Sequence, residues 1–200
     1  MARIGLCKPY VADYSASQGS VTYSDIMNVG KAVEVEIDVD SNERVVFRAD
    51  NTDAESVSVF SSGTLNLQID RLAAAVAAKL YGLETESSTT PSGGTVIKYK
   101  TATVSPYLGF GIIVKSIESG AEAWMGLILR KVQFHQNGLT QATEAKTIEF
   151  TAPEVTASIL RDDQTSASAE WMRVGYFATE ANAELWVKTQ LGYVEPVVTT

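Results

Sequence analysis

In the run Ala32–Asp40, the eight residues from Val33 onward alternate between apolar and acidic side chains, and this run constrains the fold more than any other part of the chain. A period of two residues is the pattern of a β-strand that buries one face and leaves the other in water. At ~3.3 Å per residue the run predicts a strand of roughly 25–30 Å. The apolar set is Val33, Val35, Ile37 and Val39, and the acidic set is Glu34, Glu36, Asp38 and Asp40.

The same alternation recurs through most of the chain and predicts a β-rich protein. Ser62-Gly63 is typical of a hairpin turn between two such runs. Residues 84–95 are rich in Ser, Thr, Pro and Gly, so we expect a surface loop there. Further strands are predicted at residues 44–49, 56–61, 64–70, 95–100, 107–117, 123–134, 145–151, 154–160 and 169–177.

Two helices interrupt the predicted strands. In the first, Leu72, Val76 and Leu80 form one apolar stripe, with Asp70 as the expected N-cap and Gly82 as the C-terminal stop. The second is predicted from a cap at Thr179 to about residue 191, with Leu185 and Trp186 as its large apolar residues.

The predicted fold class is therefore mainly β: an antiparallel sandwich or barrel with two flanking α-helices. A length of 200 residues fits a single domain over residues 1–200, and we expect residues 192–200 to form a loosely ordered tail.

The residues offer few groups for catalysis. His135 and Cys7 are each unique in the sequence, so neither has a spaced partner of its own type for a metal site. Asp162-Asp163 is compatible with a divalent cation, but a solvated turn is the simpler interpretation. Gly109-Phe110-Gly111 matches half of a dinucleotide fingerprint, without the helix that must follow. We therefore predict no enzyme activity, no cofactor and no metal.

Charge and hydropathy exclude other classes. The formal net charge of −8 argues against a protein that grips nucleic acid through phosphates. No apolar run reaches the ~18 residues needed to cross a bilayer, and the first residues lack the apolar core of a signal peptide. We accordingly expect no membrane partner.

Six segments follow one another along nearly the whole chain: residues 4–12 (IGLCKPYVA), 30–33 (GKAV), 62–67 (SGTLNL), 106–111 (PYLGFG), 148–154 (IEFTAPE) and 159–162 (ILRD). Together, and in this order, they resemble the major tail tube proteins of siphophages, in particular the phi13-type major tail protein family.

The resemblance implies a structural subunit of a phage virion that is made in the host cytoplasm. Such subunits form hexameric rings whose inner sheets join into one barrel, and the rings stack into a tube. The implied partners are other copies of the chain, a tape-measure protein, and tail-tip and tail-terminator proteins. Double-stranded DNA passes through the lumen during ejection without specific binding.

Two sets of candidate functional residues follow from the resemblance. Glu34, Glu36 and Asp38 are the lumen-facing candidates, since a carboxylate-lined channel repels DNA phosphates; the alternative is that acidity only keeps the protein soluble. The inter-ring candidates are the polar residues of an extended loop that would contact the next ring, for which an ordinary solvated hairpin is the alternative. They are Asp50, Asn51, Thr52 and Asp53.

Other classes of protein remain open from the sequence. One is another ring- or tube-forming protein of a phage or secretion system. A second is a carbohydrate-binding β-sandwich that uses Trp124 or Trp171. A third is a hydrolase whose site has no familiar motif. Rings or tubes in electron micrographs separate the structural classes from the last two.

Overall fold

A computed structural model describes residues 2–40, 43–49, 52–89, 92–118, 121–136, 152–165 and 169–194. Over these ranges the chain is mainly β, with about 60% strand, an antiparallel sheet and two helices, as the sequence predicts. The sheet is not a closed barrel.

The strands and helices follow one another in a nearly all-β order. The helices are α1 (Ala74–Tyr81) and α2 (Glu180–Gln190). The strands are β1 (Ala2–Ser17), β2 (Ser20–Asn28), β3 (Ala32–Asp40), β4 (Glu43–Ala49), β5 (Thr52–Val59), β6 (Ser62–Ile69), β7 (Glu84–Thr89), β8 (Ser92–Lys98), β9 (Tyr107–Glu118), β10 (Ala121–Phe134), β11 (Glu154–Leu160) and β12 (Met172–Phe177).

Eight strands form one antiparallel sheet in the order β2-β1-β9-β10-β11-β6-β3, and β12 also pairs with β10. The long strand β10 is shared: its residues 124–129 pair with β12, and its residues 131–134 pair with β11. Between these stretches the register with β9 shifts, at Leu129 and Val132. Such a bulge bends a strand, and here it marks the place where the sheet changes direction.

The sheet is folded over a shared core into two layers. Phe110 on β9 belongs to the same buried cluster as Leu67 on β6 and Ile159 on β11. The first layer thus comprises β2, β1, β9, β10 and β12, and the second comprises β11, β6 and β3. Val76 and Leu80 of α1 join this cluster.

Helix α2 covers the outer face of the first layer, where it packs directly against glycines of β9 and β10. A Cβ on Gly111 would lie 2.7 Å from Cγ1 of Val187, and one on Gly126 would lie 2.8 Å from the ring of Trp186. Both distances are too short for real atoms, so only glycine allows the helix to approach this closely. Gly109-Phe110-Gly111 is therefore part of a helix-packing surface, which accounts for the glycines without a nucleotide.

Several local predictions are confirmed. Strand β3 has the predicted bounds, and so does β11 at Glu154–Leu160. Gly82 ends α1 in the left-handed conformation, with φ 65°. The Thr179 side chain caps α2 by accepting a hydrogen bond from the backbone N–H of Asn182.

Some local predictions are wrong. Ser62-Gly63 is not a hairpin turn: it lies within β6, and Gly63 pairs with Val39 of β3 and Ile159 of β11, while β5 turns back onto β4. Asp70 does not cap α1, because its carboxylate instead accepts a hydrogen bond from the backbone N–H of Lys31. That bond and the backbone N–H of Arg71 lower the pKa of Asp70 below its usual value.

A further error concerns residues 84–95, and α2 buries smaller residues than the two large ones that the sequence analysis named. The predicted loop at 84–95 forms the hairpin of β7 and β8. The side chains of Lys98 and Glu86 form an ion pair between these two strands. Leu185 is exposed, and Ala183 and Val187 make the buried contacts of α2. Strands β1 and β2 were not predicted, and the predicted strand at 145–151 lies outside the described residues, as do residues 195–200 of the predicted tail.

Candidate assembly surface

The outer face of the second layer carries a continuous set of polar side chains, which we call the polar face. It is built by three neighbouring strands whose apolar side chains point the other way, into the core. Cross-strand pairing places Glu36 beside Asn66, and Asn66 beside Thr156. The polar face consists of Glu34, Glu36 and Asp38 on β3, Thr64, Asn66 and Gln68 on β6, and Glu154, Thr156 and Ser158 on β11.

The lumen-facing candidates lie together on this face. Glu34, Glu36 and Asp38 are all exposed, whereas Val35 and Ile37 between them pack against the core. The prediction that the three carboxylates share one sheet face is therefore confirmed; whether that face lines a channel stays a prediction. Their neighbours on β6 are uncharged, so the polar face carries the negative charge at its two borders, on β3 and at Glu154 of β11.

The row of carboxylates is tolerable only while it is hydrated. Alternate residues of a strand stand ~6.6 Å apart, so two carboxylates repel by roughly 0.6 kcal/mol at the dielectric constant of water. At an effective dielectric constant of about 20 the repulsion rises to about 2.5 kcal/mol per neighbouring pair. A protein contact that dried this face would therefore be opposed, and the geometry favours a face that stays in contact with solvent.

Strand β3 is also an end strand of the eight-stranded sheet. It pairs with β6 on one side, and no described strand pairs with its other side. Val33 and Val39, near its two ends, are 55% and 44% exposed. Val33 stands at the register shift between Ala32 and Glu34, which explains why it leaves the apolar face that the alternation predicted for it. The strand thus offers an open backbone edge between two exposed valines.

The inter-ring candidates fall on a hairpin that stands apart from the sheet. Strands β4 and β5 pair only with each other, which we call the arm. Thr52 and Asp53 lie at the start of β5, opposite Ala49 and Arg48, and Asp50 and Asn51 lie outside the described residues. The geometry is that of the predicted extended hairpin; its contact with another ring stays a prediction.

The base of the arm is fixed to the body of the protein by an aromatic pair. The ring of Phe60, just after β5, stacks on Trp171 with a centroid distance of 4.5 Å and an interplanar angle of 3°. The backbone N–H of Ser61 donates to the carbonyl of Asp40, which closes the other side of the base. The arm therefore leaves the sheet from a defined position.

Asp162 and Asp163 do not form the solvated turn that the sequence suggests. Asp162 is buried and accepts hydrogen bonds from Nε of Arg130, at 3.1 Å, and from the backbone N–H of Glu170. Only Asp163 is exposed, where Lys131 lies 2.7 Å away and lowers its pKa. The two carboxylates are thus occupied by protein groups. Among the described residues no cluster of three or more His, Cys, Asp or Glu side chains is suited to a metal ion.

The remaining candidates are accounted for by local contacts. His135 is exposed, as expected, with its Nε2 atom 2.8 Å from Oγ of Ser158. Trp171 is covered by Phe60, and Trp124 is half-buried beside Lys115. Neither tryptophan presents the open, flat ring that would hold a sugar.

Sequence reasoning identified the carboxylates of β3 but missed the rest of the polar face. Alternation predicts that Asn66 and Gln68 face outward. It does not predict that β6 lies between β3 and β11 in the sheet. The alternation in β11 could have predicted its outward-facing residues, because every second residue is buried. The outward-facing residues are Glu154, Thr156 and Ser158, and the buried ones are Val155, Ala157 and Ile159. The pairing between strands that are distant in the sequence could not be predicted from alternation.

Comparison with known proteins gives no relative to set beside this geometry: no protein-family model matches the chain, and no curated protein sequence is significantly similar to it. In the part of the chain that the structure describes, no helix has the length and apolar character required to cross a membrane.

Proposed function

We propose that this chain is the structural subunit of a phage tail tube. In this proposal the subunits form hexameric rings, the rings stack into a tube, and the tube conducts DNA during ejection. The protein acts as a building block of the virion and not as an enzyme. Other copies of the chain, a tape-measure protein, and tail-tip and terminator proteins are its partners.

The observation that carries the proposal is the polar face beside an open strand edge. A channel wall for DNA needs a surface that stays wet and does not bind phosphate. The polar face has that character, because its charged members, Glu34, Glu36, Asp38 and Glu154, are all acidic and exposed. Its neutral members are small hydroxyl and amide groups on β6 and β11.

The open edge of β3 supports assembly through the sheet. An unpaired edge is a template for another strand, and natural proteins cover or pair such edges. Joining the edge to a strand of a second copy would continue the sheet from one subunit into the next. The arm would then lie free to reach along the tube axis toward the next ring.

The experiment that tests the proposal reverses the charge of the row. The E34K/E36K/D38K variant exchanges three exposed side chains, so we expect the subunit to fold and assemble. DNA ejection from particles built with it should be slowed or blocked, because lysines on the channel wall would bind phosphates. E154Q, which removes one charge from the same face without adding a cation, is the control and should eject at a normal rate. Normal ejection by the triple-lysine particles would refute the lumen assignment.

A further inference from the structure

We infer that the carboxylate row of β3 decides which strand edge a second copy of this chain can present to it. The row prevents two β3 edges from pairing with each other. Of the other strands that pair on one side only, β12 has six residues, and we assign β2, at the opposite end of the sheet, as the partner strand because it has nine residues, as β3 does. The inference rests on the proposed function only in taking a second copy as the partner. It concerns the specificity of the contact and not the shape of the final assembly.

The two end strands differ sharply in charge. Strand β3 carries four carboxylates and no basic residue: Glu34, Glu36, Asp38 and Asp40. Strand β2 carries one carboxylate, Asp25, whose oxygen lies 2.6 Å from Nζ of Lys79. One end of the sheet therefore carries four carboxylates, and the other carries one, which shares Lys79 with Asp13 of β1.

Symmetry makes β3–β3 pairing unfavourable in every register. When two identical strands pair antiparallel about a two-fold axis, residue i of one faces residue j of the other, and j faces i. Directly opposed residues share a sheet face, so the acidic residues can only face acidic residues. In the register centred on Glu36, this residue faces its own copy, and Glu34 faces Asp38. Their Cβ atoms would stand about 4.5–5.5 Å apart, a distance at which like charges destabilise a strand pair.

Pairing of β3 with β2 avoids this conflict and has a different consequence for assembly. The exposed side chains near the middle of β2 include Thr22 and Ser24, which are neutral. A contact between two different surfaces is heterologous, so a pair of copies still has one free β3 edge and one free β2 edge. Such contacts close into rings or continue as filaments, whereas a β3–β3 contact would end growth at a dimer. The carboxylate row thus prevents the formation of a β3–β3 dimer, which could not add further copies through β3.

A charge-swap mixing experiment tests this inference. E34K/E36K/D38K repels itself through lysines, as the wild type repels itself through carboxylates, but the two proteins are complementary. Dilute mixtures examined by native mass spectrometry should contain a heterodimer whose dissociation constant is on the order of a hundredfold below that of a dimer of either protein alone. The neutral variant E34Q/E36Q/D38N should form a homodimer through two β3 edges, which the wild type does not form. Circular dichroism establishes that each variant is folded before mixing.

The matched control changes the same net charge away from β3. E86K/E122K/E154K replaces exposed glutamates of β7, β10 and β11, and should not form a heterodimer with the wild type. A heterodimer with this control as well would show general charge attraction and overturn the inference. So would a wild-type homodimer joined through two β3 edges, or the absence of any dimer from both the charge-swap mixture and the neutral variant. Failure of the wild type to form tubes refutes the proposed function alone, because the mixing result does not depend on tubes.

Discussion

Arg130 and Asp162 form a buried ion pair that joins β10 to the segment after β11. The Nε atom of Arg130 lies 3.1 Å from the carboxylate of Asp162, and the two side chains are 6% and 0% exposed. The guanidinium also lies over the ring of Tyr23 on β2, 5.3 Å from its centroid. This pair stands near the point where β10 passes from one layer to the other, so it helps to fix the angle between the layers.

Loss of Asp162 should therefore destabilise the subunit strongly. D162A removes the nearer of the two carboxylates beside the buried Arg130, the other being Glu170 at 4.0 Å from Nε, and breaking a buried pair costs about 3–5 kcal/mol. The adjacent variant D163A removes an exposed partner of Lys131, and its cost should be about 1 kcal/mol or less. Urea unfolding measures both. Equal losses for the two variants would show that burial does not distinguish these neighbours.

The glycines of β9 and β10 that contact α2 give a second prediction. G111A places a Cβ 2.7 Å from Val187 and should cost about 1–3 kcal/mol of unfolding free energy. G5A is the control, because a Cβ there meets no atom within 4 Å, and its effect should be small. The double variant G111A/V187A should recover part of the loss, because the shorter side chain makes room for the added methyl group. Strictly additive effects in this cycle would contradict the proposed contact.

A third prediction concerns stability in acid. Burial raises the pKa of Glu184, but hydrogen bonds from Lys188, Lys8 and Tyr10 lower it more, to about 2. These contacts tie α2 to β1. Because the folded-state pKa lies below the unfolded value, the stabilisation is full above about pH 4.5 and is lost as the pH falls toward 2.

Thermal unfolding of the wild type and E184Q between pH 7 and pH 2 measures this effect. The wild type should be the more stable protein at pH 7, and the difference should shrink between about pH 4.5 and pH 2. The variant T189A, which alters an exposed position of the same helix, serves as a control for changes in helix stability. A difference between the wild type and E184Q that is constant over this range would contradict the contribution of the charged carboxylate.

The arm gives a prediction about assembly. Its strands pair only with each other, so removal of residues 50–53 should leave the two-layer body folded. We expect the shortened protein to keep the thermal stability of the body but to form fewer or shorter tubes. Far-ultraviolet circular dichroism and electron microscopy measure the two properties. Tubes of normal length and number would rule out a stacking role for Asp50, Asn51, Thr52 and Asp53.

Local patterns predicted much of this fold. The alternation in Ala32–Asp40 gave the bounds of β3 and the shared face of its carboxylates, and Thr179 and Gly82 marked helix ends through cap chemistry that depends on neighbouring residues alone. Asp70 failed as a cap because a distant partner, the N–H of Lys31, binds its carboxylate. Asp162 failed as a turn residue because Arg130, 32 positions away, draws it into the interior.

The polar face shows the same division. Each of its three strands displays its outward residues locally, but their order across the sheet depends on pairing between distant segments. Insertion of the arm between β3 and β6 hides their adjacency, and this is why Ser62-Gly63 resembled a turn. Glu154 is a neighbour of Gln68 only because β11 pairs with β6.

The most direct test of the proposed function is a cryo-electron microscopy reconstruction of the protein after assembly at high concentration. We predict stacked six-membered rings around a channel, with Glu34, Glu36 and Asp38 on the channel wall and the β3 edge of each subunit paired with its neighbour. A protein that stays monomeric at every concentration, including under crowding, would contradict the proposal. Tubes that carry these three carboxylates on their outer surface would contradict the assignment of the lumen.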